Sequence, residues 1–237
     1  MNESLQTAFP GLAGSGVSLE QRNRVLRNTY WLLALSMVPT VLGAWVGVST
    51  GIMNSMGMGM SAIVFLGGAF GFMYAIQKTK DSSAGVAVLL AFTFFMGVML
   101  ARMLSAVLGF KNGPSLIMTA FGGTAAVFMA MASLASVVKR DLSGMSKFLF
   151  VGAILLLIAG VVNIFMQSTA MMATISVIAI GLFSAFMLYD IKRVIDGGET
   201  NYISATLAIY LDVFNVFQSL LALLGSRRSV IDSASSI

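Results

Sequence analysis

Seven stretches of the chain are continuously apolar, each close to the ~20 residues that cross a bilayer as a helix. They fall at about 29–49, 58–77, 84–109, 115–138, 147–166, 170–194 and 201–224. None alternates with a period of two, so helices are expected rather than barrel strands. The connections are short, which makes neighbouring helices antiparallel and leaves no linker for a second domain. The pattern predicts an all-α membrane protein. A seven-transmembrane-helix bundle occupies 29–225, a flexible polar tail precedes it at 1–28, and a short polar tail follows at 226–237. The first tail carries Gly11, Gly14 and Gly16 and lacks the apolar core of a secretory signal peptide.

The seventh stretch departs from uniform hydrophobicity. Asn201, Ala205, Ala208, Asp212, Asn215 and Ser219 recur at helical spacing and form one small, polar stripe. Leu207, Tyr210, Leu211, Phe214, Phe217 and Leu221 fill the other directions. A helix patterned this way belongs inside a bundle, against a cavity or against polar partners. Interhelical hydrogen bonds without a pore would also satisfy Asn and Ser. Asp212 weighs towards a functional site, because a carboxylate inside a membrane segment is costly.

Composition agrees with the pattern. Charged residues are 10% of the chain and apolar ones 58%, against about a quarter charged in soluble domains. Mean hydropathy is +0.93. The absence of Cys excludes disulfides and thiolate metal sites, and the absence of His removes the usual imidazole base and neutral-pH switch. No nucleotide loop, nucleophile–base pair or metalloprotease motif is present, so an enzyme is not expected. The net charge of +5 is scattered over loop ends, as topology signals are, and is no nucleic-acid footprint.

Those charges orient the bundle. Arg22, Arg24, Arg27, Lys78, Lys80, Lys139, Arg140, Lys147, Lys192 and Arg193 fall on the side of the N-terminus. Lys111, Arg227 and Arg228 fall on the opposite side, and Arg102 lies within the third stretch, where it can snorkel outward. The positive-inside rule then places the N-terminus in the cytoplasm. A last segment that re-enters instead of crossing would bring Arg227 and Arg228 inside; seven full spans is the reading adopted.

Three smaller patterns concern packing and polar contacts. Gly43 with Gly47, Gly67 with Gly71, and the Gly- and Ala-rich fourth stretch let helix backbones approach within the bundle. Met53, Met56, Met58 and Met60 read as apolar filler ahead of a Cu(I) site. Asn163 and Gln167, four apart, read as interhelical hydrogen bonds or water contacts.

The segment from Tyr189 to Phe217 carries the main chemical candidate. Asp190 ends one apolar stretch and Asp212 lies within the next, across a turn containing Gly197 and Gly198. Arg193, three residues on, offers Asp190 a helix-end partner. Asp190 lies about 8 Å inside its helix end and Asp212 about 17 Å from Asn201. The two meet only if the last helix starts outside the membrane, with Glu199 or Thr200 opening it. Two carboxylates in a low-dielectric site cannot both ionise cheaply, so a proton is shared. The pair would give a chain without His a pH sensor. Deprotonated, its oxygens suit a hard cation such as Ca²⁺, yet two carboxylates fall short of the ~6–8 oxygens of a tight calcium cage. Weak binding of that kind suits conduction.

Tyr189-Asp190 before the Gly-containing turn, Asn201-Tyr202-Ile203, and Tyr210-Leu211-Asp212 through Phe217 resemble the Bax inhibitor-1 (transmembrane Bax inhibitor motif) family. So do TAFGGTAAVFMAMASLASVVKRDLSGM around the fourth stretch and VLRNTYWLLALSM at the entry, the latter closest to bacterial members. The resemblance implies a bundle whose last helix is central, surrounded by the other six, in a bacterial inner membrane. It also implies a pH-sensitive leak of calcium ions, opened by acid, with Asp190 and Asp212 as the paired aspartates. Some members latch the first aspartate to an arginine of the second helix. Here Lys78 and Lys80 are the nearest substitutes, and Arg193, Asn215 and Ser219 are the supporting candidates. Some bacterial relatives lack both aspartates and are linked to a membrane-bound ATP-dependent protease. The chain is therefore expected to be a cation leak gated by the aspartate pair or, alternatively, a non-conducting modulator of such a protease.

Overall fold

The computed structural model describes residues 18–234, with side chains up to Ser226 apart from that of Met58. Its order is α1 (Leu19–Thr50), α2 (Ile52–Ser55), α3 (Met58–Thr79), α4 (Ser83–Leu108), α5 (Gly113–Val137), α6 (Met145–Met166), α7 (Thr169–Ile195) and α8 (Tyr202–Ala234). Seven of these are long and apolar enough to cross a membrane, and α2 is a single turn between spans.

The first helix begins ten residues before the expected span. Residues 19–28, assigned to the flexible tail, are helical; residues 1–17 lie outside the described residues. Ser18 caps the helix, its hydroxyl accepting the Gln21 N–H at 3.2 Å, and Glu20 sits favourably in the first turn. At the other end the last helix runs to Ala234, through much of the expected C-terminal tail. The side chains of Arg227 and Arg228 lie outside the described residues.

α1 and α4 make the closest helix pair. A Cβ on Gly43 would stand 2.1 Å from the Phe94 carbonyl oxygen, and one on Gly97 would stand 2.1 Å from that of Thr40. Gly47 is held as tightly, against Ala101 at 2.6 Å. These glycines let two backbones touch where hydrocarbon gives no drive to associate. The second glycine pair does not pack inside the bundle. A Cβ on Gly67 or Gly71 would meet nothing within 4 Å, so this face of α3 looks outward.

The last helix is central. It packs against α1, α3, α4, α5 and α7, and Ile203, Ile209, Tyr210, Val216 and Leu221 are fully enclosed. The expected ring of six is incomplete, because α6 packs on α7 and presents Phe148, Leu157 and Phe165 outward. Such a face belongs in lipid, where apolar side chains are solvated by hydrocarbon.

Several polar side chains serve connections. Arg102 donates to the Met53 carbonyl from Nη2 at 2.7 Å and from Nε at 3.2 Å, and also to the Met56 carbonyl. It thereby holds the α2 turn instead of snorkelling outward. Met53 is buried beneath it. Asn163 and Gln167, expected as interhelical contacts, make the α6–α7 turn. The Gln167 N–H donates to the Asn163 carbonyl at 2.8 Å, and the Asn163 side chain accepts the Ser168 N–H at 3.2 Å.

Candidate functional site: a buried carboxylate pair

The turn between α7 and α8 sets the site. Gly197 has φ +80°, a left-handed conformation that ends α7. The Gly198 N–H then donates back to the Arg193 carbonyl at 2.8 Å. Glu199 accepts the N–H groups of Thr200 and Asn201 at 3.0 and 2.9 Å. Asn201 opens α8: its Oδ1 accepts the N–H groups of Ile203 and Ser204, both at 3.0 Å. Its Nδ2 donates to the Lys80 carbonyl and to Asp81, both at 2.9 Å. Asn201 is thus a cap and a tie to the α3–α4 turn. It does not continue the polar stripe.

This turn brings the two aspartates together. Asp190 lies five residues before the end of α7 and Asp212 ten residues into α8, so α8 starts about 7 Å further out than α7 ends. The side chains of Asp190 and Asp212 are close neighbours across the α7–α8 pair. Asp212 is only 5% exposed, and its Oδ2 is enclosed with no protein partner. Two carboxylates can hydrogen-bond only if one carries a proton. A proton placed between them would let the two carboxyls hydrogen-bond.

The other candidates are placed elsewhere. Arg193 pairs with Glu199 at 3.7 Å and donates to the Gly198 carbonyl at 3.3 Å; it braces the turn, although its charge reaches Asp190. Lys78 lies over the Tyr74 ring, 5.7 Å from its centroid. Lys80 contributes its carbonyl to Asn201. Among the described residues neither lysine forms an ion pair with Asp190, and the expected latch is not made. Asn215 donates to the Leu211 carbonyl of its own helix at 2.7 Å, and Ser219 is half-buried. Among the described residues no three carboxylates gather as a metal cluster.

A second polar centre was not read from the sequence. The hydroxyls of Thr40 on α1 and Tyr210 on α8 are 2.9 Å apart, and the Tyr210 hydroxyl lies 3.5 Å from the Thr93 carbonyl on α4. Thr206, fully buried, donates to the Tyr202 carbonyl at 2.7 Å and lies 3.3 Å from that of Thr29. The signal was the placement of Thr and Tyr within apolar spans. Their partners depend on helix rotation, which the pattern along one helix does not carry. The cleft beside Tyr210 is lined by Val213, Phe214 and Phe217, not by Asp212, so the polar stripe of α8 does not face it.

On the first side of the membrane, where α1 begins, Lys192 is buried to 8% exposure against Asp196, with Nζ 2.6 Å from Oδ1. Asp141, in the loop between α5 and α6, accepts the N–H and hydroxyl of Ser143, each at 2.8 Å. These bonds hold its carboxyl below the ordinary aspartate value, with the Lys192 charge adding to them.

Comparison with known proteins places this architecture. The family described as "Inhibitor of apoptosis-promoting Bax1" matches residues 22–229. A membrane protein of Vibrio cholerae is 38% identical over 209 residues, covering 86% of this chain and 90% of that protein. The Escherichia coli modulator of FtsH protease, YccA, is 37% identical over 209 residues, covering 88% of this chain and 92% of that protein. Its counterpart in a second E. coli strain, named an inner membrane protein, matches equally.

Proposed function

This chain belongs to the Bax inhibitor-1 family, and from that membership we propose that it is an inner-membrane modulator of an FtsH-type protease. The observation that carries the reading is the near full-length similarity to the E. coli protein named for that role. A compact bundle with a lipid-facing α6 and an outward glycine face on α3 supports a protein that acts by contact. The excess of Lys and Arg on the first side supports a cytoplasmic N-terminus in this reading. The test is the half-life of FtsH substrates in cells with and without this protein, together with crosslinking in native membranes. An unchanged half-life, with no crosslink to the protease, sinks the proposal.

A second reading is favoured by one observation, the unpartnered Asp212 oxygen beside Asp190. In that reading the pair is a proton-sharing gate in a weak cation leak, with Ca²⁺ as the transported ion. Protonation removes charge from the pair and changes how α7 and α8 attract a cation or each other. Calcium flux into proteoliposomes across a pH series tests it, and a flux no greater than in protein-free vesicles at every pH excludes it.

A further inference from the structure

A cleft of about 920 Å³ lies between α1 and α5, with α4 and α8 as its floor. Leu33, Met37 and Ala44 line one wall, and Ile117, Phe121 and Ala125 the other. α1 packs on α4 and α8, while α5 packs on α7 and α8, leaving a gap between the two walls. The rim residues Val41, Met118 and Met129 are exposed, so the cleft opens sideways. Both walls are membrane spans, and an opening there meets hydrocarbon, not water.

Three features select the occupant. No Asp, Glu, Lys or Arg lines the cleft, so neither an ion nor a charged headgroup is held inside it. The hydroxyls of Thr40 and Tyr210 are bonded to each other and that of Thr124 to the Ala120 carbonyl, which leaves those of Ser133 and Tyr30 in an otherwise apolar lining. The cleft narrows towards the first side, where Tyr30 meets Phe128 edge-on with ring centroids 6.0 Å apart. A partner helix is about 10–12 Å across and cannot lie along the full depth past that contact. A hydrocarbon chain, much thinner, can enter from the open end. From Tyr30 to Ala44 the wall runs about 21 Å, a substantial part of the ~30 Å hydrocarbon core. The volume also lies within the ~300–1,000 Å³ usual for small-molecule sites.

We propose that this cleft binds one acyl chain of a membrane phospholipid, inserted from the leaflet at the C-terminal end of α1. The bound chain completes the wall between α1 and α5 and fixes their spacing. The proposal is independent of the aspartate pair and of any protease partner.

The test uses the full chain, purified from membranes and examined by native mass spectrometry, with photo-reactive acyl-chain phospholipid added in parallel. The wild type should retain one phospholipid and label on the α1 and α5 walls. Exchanging the headgroup should leave retention unchanged, and short-chain phospholipid should not compete. Ala125→Phe fills the cleft and should lower retention about tenfold, equivalent to ~1.4 kcal/mol. Ala34→Phe on the other wall should do the same and serves where the first variant does not fold. Gly160→Phe on α6, where a Cβ meets open space, should retain lipid as the wild type does. Equal retention in the folded cleft-filling variants overturns the proposal. So does labelling spread evenly over the lipid-facing helices, retention that follows the headgroup, or a crosslink from the cleft to a protein helix.

Discussion

Asp190 and Asp212 are close neighbours although they sit at different depths of their own helices. The offset is absorbed by the α7–α8 turn, where Gly197 ends one helix and Asn201 starts the next further out. The pair therefore depends on the turn's geometry as well as on its own chemistry. Two carboxylates in such direct interaction do not ionise independently of each other.

Asp212→Asn keeps size and removes one charge. If the pair gates a leak, this change should flatten the pH dependence of calcium flux in proteoliposomes while the protein stays folded. Asp190→Asn should act alike, and the double variant should add little to either single one, since the two act as a unit. Wild-type pH profiles in both single variants would leave the pair as a structural hydrogen bond. The protease reading can be tested on the same variants, because substrate half-life does not depend on flux.

The hydroxyl contact between Thr40 and Tyr210 ties α1 to α8 at 2.9 Å. Tyr210→Phe keeps the ring and removes the bond. Unfolding in a detergent titration should show a loss of about 0.6 kcal/mol, and no more than ~1.7, the measured range for interhelical bonds in membranes. Thr40→Val should cost a similar amount. A double-mutant cycle should return a coupling of that size, whereas strict additivity would mean that the contact contributes nothing.

The helices and the carboxylate pair were legible in the sequence for different reasons. Length and continuous hydrophobicity are properties of one segment, so seven spans could be counted directly. Asp190 and Asp212 were found because a membrane makes an isolated carboxylate expensive. The early start of α1 also had a signal, Ser18 followed three residues later by Gln21, which fits a capping box but stood in a polar segment read as tail. Contacts between helices were harder to read. Gly43 and Gly67 carry the same spacing motif, yet one faces α4 and the other faces outward. Tyr210 was assigned to an apolar flank because its hydroxyl finds a partner only once α1 is docked. The cleft, too, belongs to four helices at once and has no motif of its own.

Asp141 lies in the loop between α5 and α6, fully exposed, and its low carboxyl pKa comes mainly from Ser143. A carboxyl held below its unfolded value of 3.8 contributes stability above that pH and loses it as the pH falls through the folded value. Ser143→Ala removes the hydroxyl bond and keeps the backbone one. The Asp141 titration, followed by carboxyl NMR, should move part of the way back towards the ordinary value. A titration unchanged by the substitution would show that the backbone N–H and the Lys192 charge account for the shift.

The glycines provide an internal comparison for packing. Gly43→Ala and Gly97→Ala each place a methyl group 2.1 Å from a carbonyl oxygen of the facing helix. Neither backbone can yield without moving the whole α1–α4 pair, so each change should destabilise by about 1–3 kcal/mol. Gly67→Ala and Gly71→Ala add a methyl group with nothing within 4 Å and should stay within ~0.5 kcal/mol in detergent. The same four variants in native membranes then report on partners. If the outward α3 face is lipid-facing throughout, Gly67 and Gly71 remain silent there as well. If protease contact uses that face, their substitution lowers crosslinking to the protease while detergent stability is unchanged. Equal destabilisation of all four in detergent would mean that α3 packs inside the bundle as closely as α1, contrary to the fold described above.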